Sequence, residues 1–304
     1  MVKEIKEEQL PKITEVNYYS REIDKSYISA SQIKAFDRVT GCQTAAMAKL
    51  EGLWETAPTA ALLIGSYTDA ALDSDDELER FIKGHPEVYN SKTHELKADF
   101  RKAANLVERC MSDPLFRALT YDAPISGHQY IVTGEIGGIP TKGKLDYLLT
   151  ADYCSHLAAT FPHWTEFFQY AAGCGGLIVD LKTAANTQEE WDDGIGEKVP
   201  WLKKWHYDRQ LAIYQELIRQ KTGQTLPVLV VCVTKESTPS LLALTISQGD
   251  LDEALADAEQ LAPEVFQVKN GLLQPAACGH CAYCRAQRKL ENLGPLDYRF
   301  AADF

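Results

Sequence analysis

The chain of 304 residues is 45% hydrophobic and 24% charged, the balance of an ordinary soluble globular protein. It carries no run near the roughly 18 apolar residues of a membrane span, and its opening MVKEIKEEQLPKITEV is too charged for a signal-peptide core. A cytoplasmic protein with no membrane partner is expected. With 43 acidic against 31 basic residues the net charge is −12, which excludes a non-specific nucleic-acid coat but leaves room for a confined basic channel. Eight cysteines without a secretory signal point to metal binding or buried thiols rather than disulfides.

Residues 1–27 are polar and without period, which predicts an irregular arm. A helix follows, capped by Ser29 or Ser31, with Ile33, Phe36 and Val39 at helical spacing. Gly41 interrupts it and Cys42 opens a second helix through about Leu50. After Pro58, Ala61, Leu62, Gly65, Ala70 and Leu72 form the small, apolar face of another helix. Residues 94–119 read as one more helix, with Leu106, Val107, Cys110 and Leu115 inward. His128–Ile136 and Ile139–Leu149 read as a hairpin about Gly137-Gly138. Residues 151–174 are an aromatic, Ala-rich interruption, helical around Trp164–Tyr170 and a candidate DNA- or oligomer-contacting insertion. A short strand at 177–183, a helix at 202–221, strands at 228–234 and 241–246 and a helix at 250–268 complete an α/β unit without repeats or linkers.

Two of these strands carry unexpected charge. Gly143-Lys144-Leu145-Asp146 places an aspartate within an apolar strand, and Asp180-Leu181-Lys182 does the same. Period-2 geometry puts Asp180 and Lys182 on one face, and a carboxylate in a β core needs a cation. An Asp–Lys ion pair at a strand end is one reading. The other is a pair of converging carboxylates around Mg²⁺ or Mn²⁺, which prefer oxygen ligands, with Lys182 orienting an attacking water. Gln210 and Tyr214, at i and i+4 on the following helix, share one face.

Taken in order, Asp146, Asp180-x-Lys182 and Gln210-x-x-x-Tyr214 resemble the PD-(D/E)XK nucleases, in particular the RecB-type branch with its QxxxY helix. The resemblance spans about residues 28–285. It implies a restriction-endonuclease-like mixed sheet flanked by helices, with Asp146 and Asp180 as metal ligands, the Leu181 carbonyl as a further ligand and Lys182 as the catalytic lysine. It also implies that Gln210 and Tyr214 position DNA or that lysine. The family's Gly-x-x-x-His reads Gly65-Ser-Tyr-Thr-Asp69 here, so Asp69 stands as the remaining ligand.

Cys278-x2-Cys281-x2-Cys284 has the spacing of a soft-metal loop. His280 lies awkwardly within it, and Cys42 is the better fourth ligand. The segment Ile28–Phe36 followed by Cys42 resembles the iron–sulfur members of the same nuclease branch, which implies a 4Fe–4S cluster; the compact spacing keeps Zn²⁺ as an alternative. Cys110, Cys154, Cys174 and Cys232 read as buried thiols. Lys203, Lys204, His206 and Arg209 make one candidate DNA-binding patch and Arg285, Arg288 and Lys289 another, each equally readable as a solvated helix face. Trp191, Trp201 and Trp205 suit packing or stacking on unpaired bases.

The expected organisation is an arm (1–27), a nuclease domain (28–290) and a tail (291–304). The domain divides into a helical front (28–122), a catalytic core (123–270) and a Cys-rich element (271–290). The resemblance implies a Mg²⁺-dependent exonuclease, closest to phage and prophage RecE-like enzymes. Such an enzyme resects linear duplex DNA 5′→3′ for a single-strand annealing recombinase and works as a homo-oligomer. Two alternatives stand: a CRISPR-adaptation-type nuclease acting on single strands or overhangs, and a non-catalytic DNA-binding or assembly module.

Overall fold

The computed structural model describes residues 10–192 and 196–289, so the expected tail at 291–304 and the first nine residues of the arm lie outside the described residues. The chain forms two compact units, one of Ala57–Ile136 and Thr141–Ala258, the other of Met1–Thr56, Gly137–Pro140 and Glu259–Phe304.

The first unit is built on a five-stranded sheet. Its strands are β1 (His128–Ile136), β2 (Ile139–Thr150), β3 (Gly176–Ala184), β6 (Val228–Thr234) and β7 (Leu241–Thr245), in the order β1-β2-β3-β6-β7. The β2–β3 and β6–β7 pairs are antiparallel, and β3 and β6 are parallel, with Asp180 opposite Val230 and Lys182 opposite Cys232. A parallel pair needs a crossover; here it includes α10 (Trp201–Lys204) and α11 (Tyr207–Thr222). On one side of the sheet, Tyr147, Leu149, Leu177, Val179, Leu181, Leu229, Val231 and Val233 share a core with helices α4 (Ala60–Asp73), α6 (Ala98–Met111), α7 (Pro114–Leu119), α8 (Ala151–Thr160) and α9 (Thr165–Gly173). Strand alternation then points Asp180 and Lys182 to the other side, which α11 covers. The buried Tyr147 hydroxyl donates to the Leu72 carbonyl at 3.0 Å, tying the last turn of α4 to β2. At the edge strand β1, the Gln220 side chain of α11 accepts from the Glu135 N–H at 2.9 Å and donates to the Glu135 carbonyl at 2.7 Å.

In the other unit, α2 (Ala30–Phe36) is capped by Ser29 and α3 (Gln43–Glu51) begins at Cys42. The Lys269 ammonium, at the end of α12 (Gln248–Lys269), donates to the Tyr27 carbonyl and the Gln32 side chain, each at 2.6 Å. Glu264 accepts from Arg38 at 2.6 Å and from Gln43 at 2.5 Å. Gly137 and Gly138, at φ 56° and 72°, make the hairpin turn that the double glycine predicts.

Several expectations change. The arm is not wholly irregular: Ser20 caps α1 (Arg21–Ser26), which buries Ile23. Val39 lies beyond α2 and is 78% exposed. In α4 the inward face is Ile64, Tyr67, Ala71 and Leu72, while Leu62 faces solvent. The helix expected at 94–119 is two, because Asp113 accepts from the Phe116 N–H at 2.8 Å and Pro114 starts α7. Residues 151–174 form α8 and α9, whose Cys154, Leu157, Phe168 and Ala171 belong to the core. The helix expected at 202–221 breaks at His206, which takes φ 56°. Further elements were not legible, among them α5 (Asp75–Gly84) and the short pair β4 (Glu190–Asp192) and β5 (Glu197–Val199).

Candidate active site

The β2–β3 ladder runs from Thr150↔Gly176 to Tyr147↔Val179, and one step further along each strand stand Asp146 and Asp180. Where the ladder ends, the Asp146 Oδ2 accepts the Leu181 backbone N–H at 2.8 Å. Asp180 is almost wholly buried, and its Oδ2 forms an ion pair with Lys182 Nζ on the same face of β3. The Lys182 ammonium also reaches the Leu181 carbonyl at 3.4 Å and lies 4.8 Å from the centre of the Tyr207 ring. So the carbonyl expected to ligate a metal faces the lysine.

The helix α11 closes this site from above the sheet. Gln210 Nε2 donates to the Tyr214 hydroxyl at 3.0 Å and approaches Asp180 Oδ1 at 3.5 Å. Gly143 on β2 makes room for Tyr214: a Cβ there would lie 3.0–3.1 Å from the ring. Tyr207, one turn before Gln210, is the contact that sequence reasoning missed; its signal is its i, i+3 spacing from Gln210 on the helix. Asp69 on α4 is exposed, at the open side of the group, and feels the charges of Asp146 and Asp180. Gly65, one turn earlier, comes close to β3, where an added Cβ would lie 3.2 Å from Thr183 Oγ1.

Charge is strained here. Burial, then the neighbouring Asp180, pushes the Asp146 carboxyl up to about 7, against the pull of Lys182 and the Leu181 N–H. Burial also raises Asp180, opposed by Lys182. Asp69 is raised by the surrounding protein and by Asp146, although water still reaches it. Burial disfavours the Lys182 ammonium, but Asp180 and Asp146 outweigh it and hold the lysine charged. Three carboxyls held above their usual range form an oxygen-donor set that a hard divalent cation satisfies. Their oxygens do not close into a compact cage: among the described residues, the only set of three or more such ligands within 4.8 Å of one another is the cysteine set.

That set is Cys42, Cys278, Cys281 and Cys284. Cys42 Sγ lies 3.6 Å from Cys284 Sγ, which is 4.0 Å from Cys278 Sγ. His280 turns its Nδ1 to the Cys278 carbonyl and stays out of the set. Burial works against the Cys42 thiolate, yet the Thr44 hydroxyl, the Cys278 and Ala45 N–H groups and Cys284 bring it down to about 6. Arg285 and Arg288 donate to the His280 and Gly279 carbonyls and so brace the cysteine loop.

Three cations of the expected basic patch on α10 and α11 are paired with carboxylates. Lys203 pairs with Asp250 at 2.9 Å and Lys204 with Asp192 at 3.7 Å, while the buried Arg209 pairs with Asp257 at 2.5 Å. Arg209 is buried in that pairing, and His206 serves as the left-handed link between the helices. Of the tryptophans, Trp201 is buried and Trp191 and Trp205 are exposed.

The chain is similar to a crystal structure from Eubacterium rectale described as a "Putative exonuclease", with 33% identity, a TM-score of 0.78 and coverage of 93% of this chain and 96% of that one. No curated protein matches it significantly. Residues 29–174 and 172–287 match the PDDEXK-like domain of unknown function (DUF3799). Given this match and the mixed sheet that bears Asp146, Asp180 and Lys182, the chain belongs to that PDDEXK-like family, within the PD-(D/E)XK nuclease superfamily.

Proposed function

We propose that the protein is a Mg²⁺-dependent deoxyribonuclease that resects linear duplex DNA from its 5′ ends, for use by a single-strand annealing recombinase. The observation that carries the nuclease reading is the Asp180–Lys182 pair at the end of β3, beside Asp146 and beneath Gln210 and Tyr214. The similarity to a protein described as an exonuclease supports action at ends. The 5′→3′ direction and the recombination role rest on the RecE-like resemblance.

Asp146 and Asp180, with Asp69 at the open side, would hold the cation. Bound Mg²⁺ supplies a Lewis acid for the phosphoryl oxygens and lowers the pKa of a coordinated water. Lys182 would orient the attacking water and offset the negative charge that grows on the phosphoryl group as the water oxygen bonds to phosphorus and the bond to the 3′ oxygen breaks. Gln210 holds the Tyr214 hydroxyl and lies against Asp180, so the helix face fixes the carboxylate's orientation. The product keeps its 5′-phosphate.

The four cysteines form a soft-metal site. Thiolates bound at about 2.3 Å to one tetrahedral ion stand about 3.8 Å apart, which the 3.6 and 4.0 Å separations match. A four-iron cluster interposes its own atoms and holds its thiolates farther apart, so the spacing favours Zn²⁺ while the resemblance favours 4Fe–4S. Iron, zinc and sulfide analysis of anaerobically purified protein decides between them.

The test of the nuclease reading is digestion of end-labelled linear duplex with Mg²⁺ by wild type, Asp180→Ala and Lys182→Ala. Mg²⁺-dependent release of label from the 5′ end, lost in both variants, supports the reading. A metal-replete wild type that binds DNA without cutting it would move the conclusion to a binding module.

A further inference from the structure

Many cations of the catalytic unit meet a carboxylate, and two that do not share one cavity. In this acidic chain, Lys182, Lys203, Lys204 and Arg209 each meet a carboxylate, as do Arg117 and Arg219. Lys102 and Lys235 form no ion pair among the described residues, and both line one cavity of about 260 Å³. Its other polar walls are Asn105, Glu236 and Ser237, and its apolar walls are Ile64, Leu106 and Pro239. Glu236 is already engaged, since its Oε2 accepts from the Thr234 hydroxyl at 2.7 Å. The polar lining therefore sets two lysines, an amide and a hydroxyl beside one carboxylate that is held by Thr234.

The cavity is built rather than incidental. Lys102, Asn105 and Leu106 lie at i, i+3 and i+4 on α6, so one helical face supplies both polar and apolar walls. The loop between β6 and β7 is pinned: Thr234 N–H donates to the Ser240 carbonyl at 3.0 Å and Ser240 N–H to Thr234 Oγ1 at 2.9 Å. Lys235 N–H donates to the Ala184 carbonyl at 2.7 Å, at the end of the strand that carries Asp180 and Lys182. The half-buried Lys235 ammonium has three protons to donate, and one weak acceptor is in place, the Ala61 carbonyl at 3.3 Å. The Lys235 backbone bond to Ala184, two residues beyond Lys182, sets the cavity near that strand end, and Lys235 acts electrostatically on Asp69. The cavity and the candidate active site both lie at the carboxyl ends of the parallel strands β3 and β6, where open α/β sheets bind ligands.

We infer that this cavity is a phosphate subsite for the DNA strand being cut, holding a backbone phosphate near the scissile one between Lys102 and Lys235, with its sugar against Ile64, Leu106 and Pro239. The size fits a segment of polymer: it falls short of the roughly 300–1,000 Å³ that engulfs a whole drug-sized ligand. The subsite gives an acidic protein its local cationic grip on DNA without a basic surface. This inference rests on the nuclease reading above. Lys102 and Lys235 are positioning residues that set where the strand lies.

The experiment is fluorescence anisotropy of a labelled duplex in EDTA over a salt series, with wild type, Lys102→Gln, Lys235→Gln and the double variant. Losing one phosphate contact lowers the slope of log K against log salt by about 0.9, which is the change expected for the double variant, with a fall in affinity of about tenfold. In Mg²⁺, KM rises by about the same factor while kcat stays within about twofold, because binding is lost equally in ground and transition states. Lys102 is exposed on α6, so its variant tests the cavity independently of any folding defect at Lys235. A double variant with unchanged slope and affinity, beside a wild type that binds and cuts DNA, overturns the subsite alone. A wild type that neither binds nor cuts DNA overturns the nuclease reading with it.

Discussion

Asp146 and Leu181 are joined by a side-chain-to-backbone hydrogen bond of 2.8 Å at the point where the β2–β3 ladder stops. The carboxylate thus stands in for the next strand partner and satisfies a backbone donor that the open end of the sheet leaves over. Structure and chemistry can be separated here. Asp146→Asn keeps an acceptor for the Leu181 N–H but loses the charge, so its thermal midpoint should stay within about 4 °C of wild type while Mg²⁺-dependent cleavage disappears. Asp146→Ala should lose both, with a stability cost of about 1.5–3 kcal/mol. Calorimetry beside the digestion assay checks the pair.

The raised carboxyls give the metal-free protein a pH signature. Asp146 titrates near 7 when folded and near 3.9 when unfolded, so between those values the folded state holds more protons than the unfolded one. Its contribution to stability is complete below about pH 4 and is lost as pH rises through 7. Burial gives Asp180 the same sign. In EDTA, the thermal midpoint of wild type should therefore fall relative to that of Asp146→Asn as pH goes from 5 to 8. A constant difference between the two across that range would contradict the assignment.

Gly143 is needed for its lack of a side chain. Gly143→Ala would press a methyl group against the Tyr214 ring at 3.0–3.1 Å and against Leu217 at 3.2 Å. Overpacking of this kind costs about 1–3 kcal/mol. The variant touches no charge, yet it should displace Tyr214 from Gln210 and lower kcat while leaving the fold intact by circular dichroism.

The eight cysteines should separate by reactivity. Burial pushes the thiols of Cys110, Cys154 and Cys232 up to about 12, whereas Cys42 sits near 6. At pH 7 the three buried thiols should resist iodoacetamide in the native protein. Cys42 should be labelled quickly after metal removal and protected by metal. Cys42→Ser should lose the bound metal, read by elemental analysis, if the early cysteine completes the set; a full metal content in that variant would exclude it.

Much of this arrangement is legible in the sequence, and the failures have physical reasons. The hairpin about Gly137-Gly138 and the strand bearing Asp180 and Lys182 announce themselves, because double glycine and an apolar run with isolated charge are local signals. The meeting of Cys42 with Cys278, Cys281 and Cys284 follows from motif spacing and resemblance. What is hidden is pairing. Nothing local in Lys203, Lys204 and Arg209 reveals that Asp250, Asp192 and Asp257 neutralise them. Conversely, Lys235 sits alone in the sequence, and only the β6–β7 loop and α6 together show that it shares a cavity with Lys102. The break at His206 is a backbone event in a run whose composition is helical throughout.

The clasp between Gln220 and Glu135 has a consequence for association. An edge strand with free N–H and C=O groups invites pairing with another chain. Here a glutamine amide from the crossover helix takes both groups of one edge residue, and Gly134 gives it access, since a Cβ there would meet Gln220 Oε1. The helix thereby acts as a terminator of the sheet, so a second copy of the chain cannot extend the ladder through that residue. Removing the glutamine would open a seam for edge-to-edge aggregation.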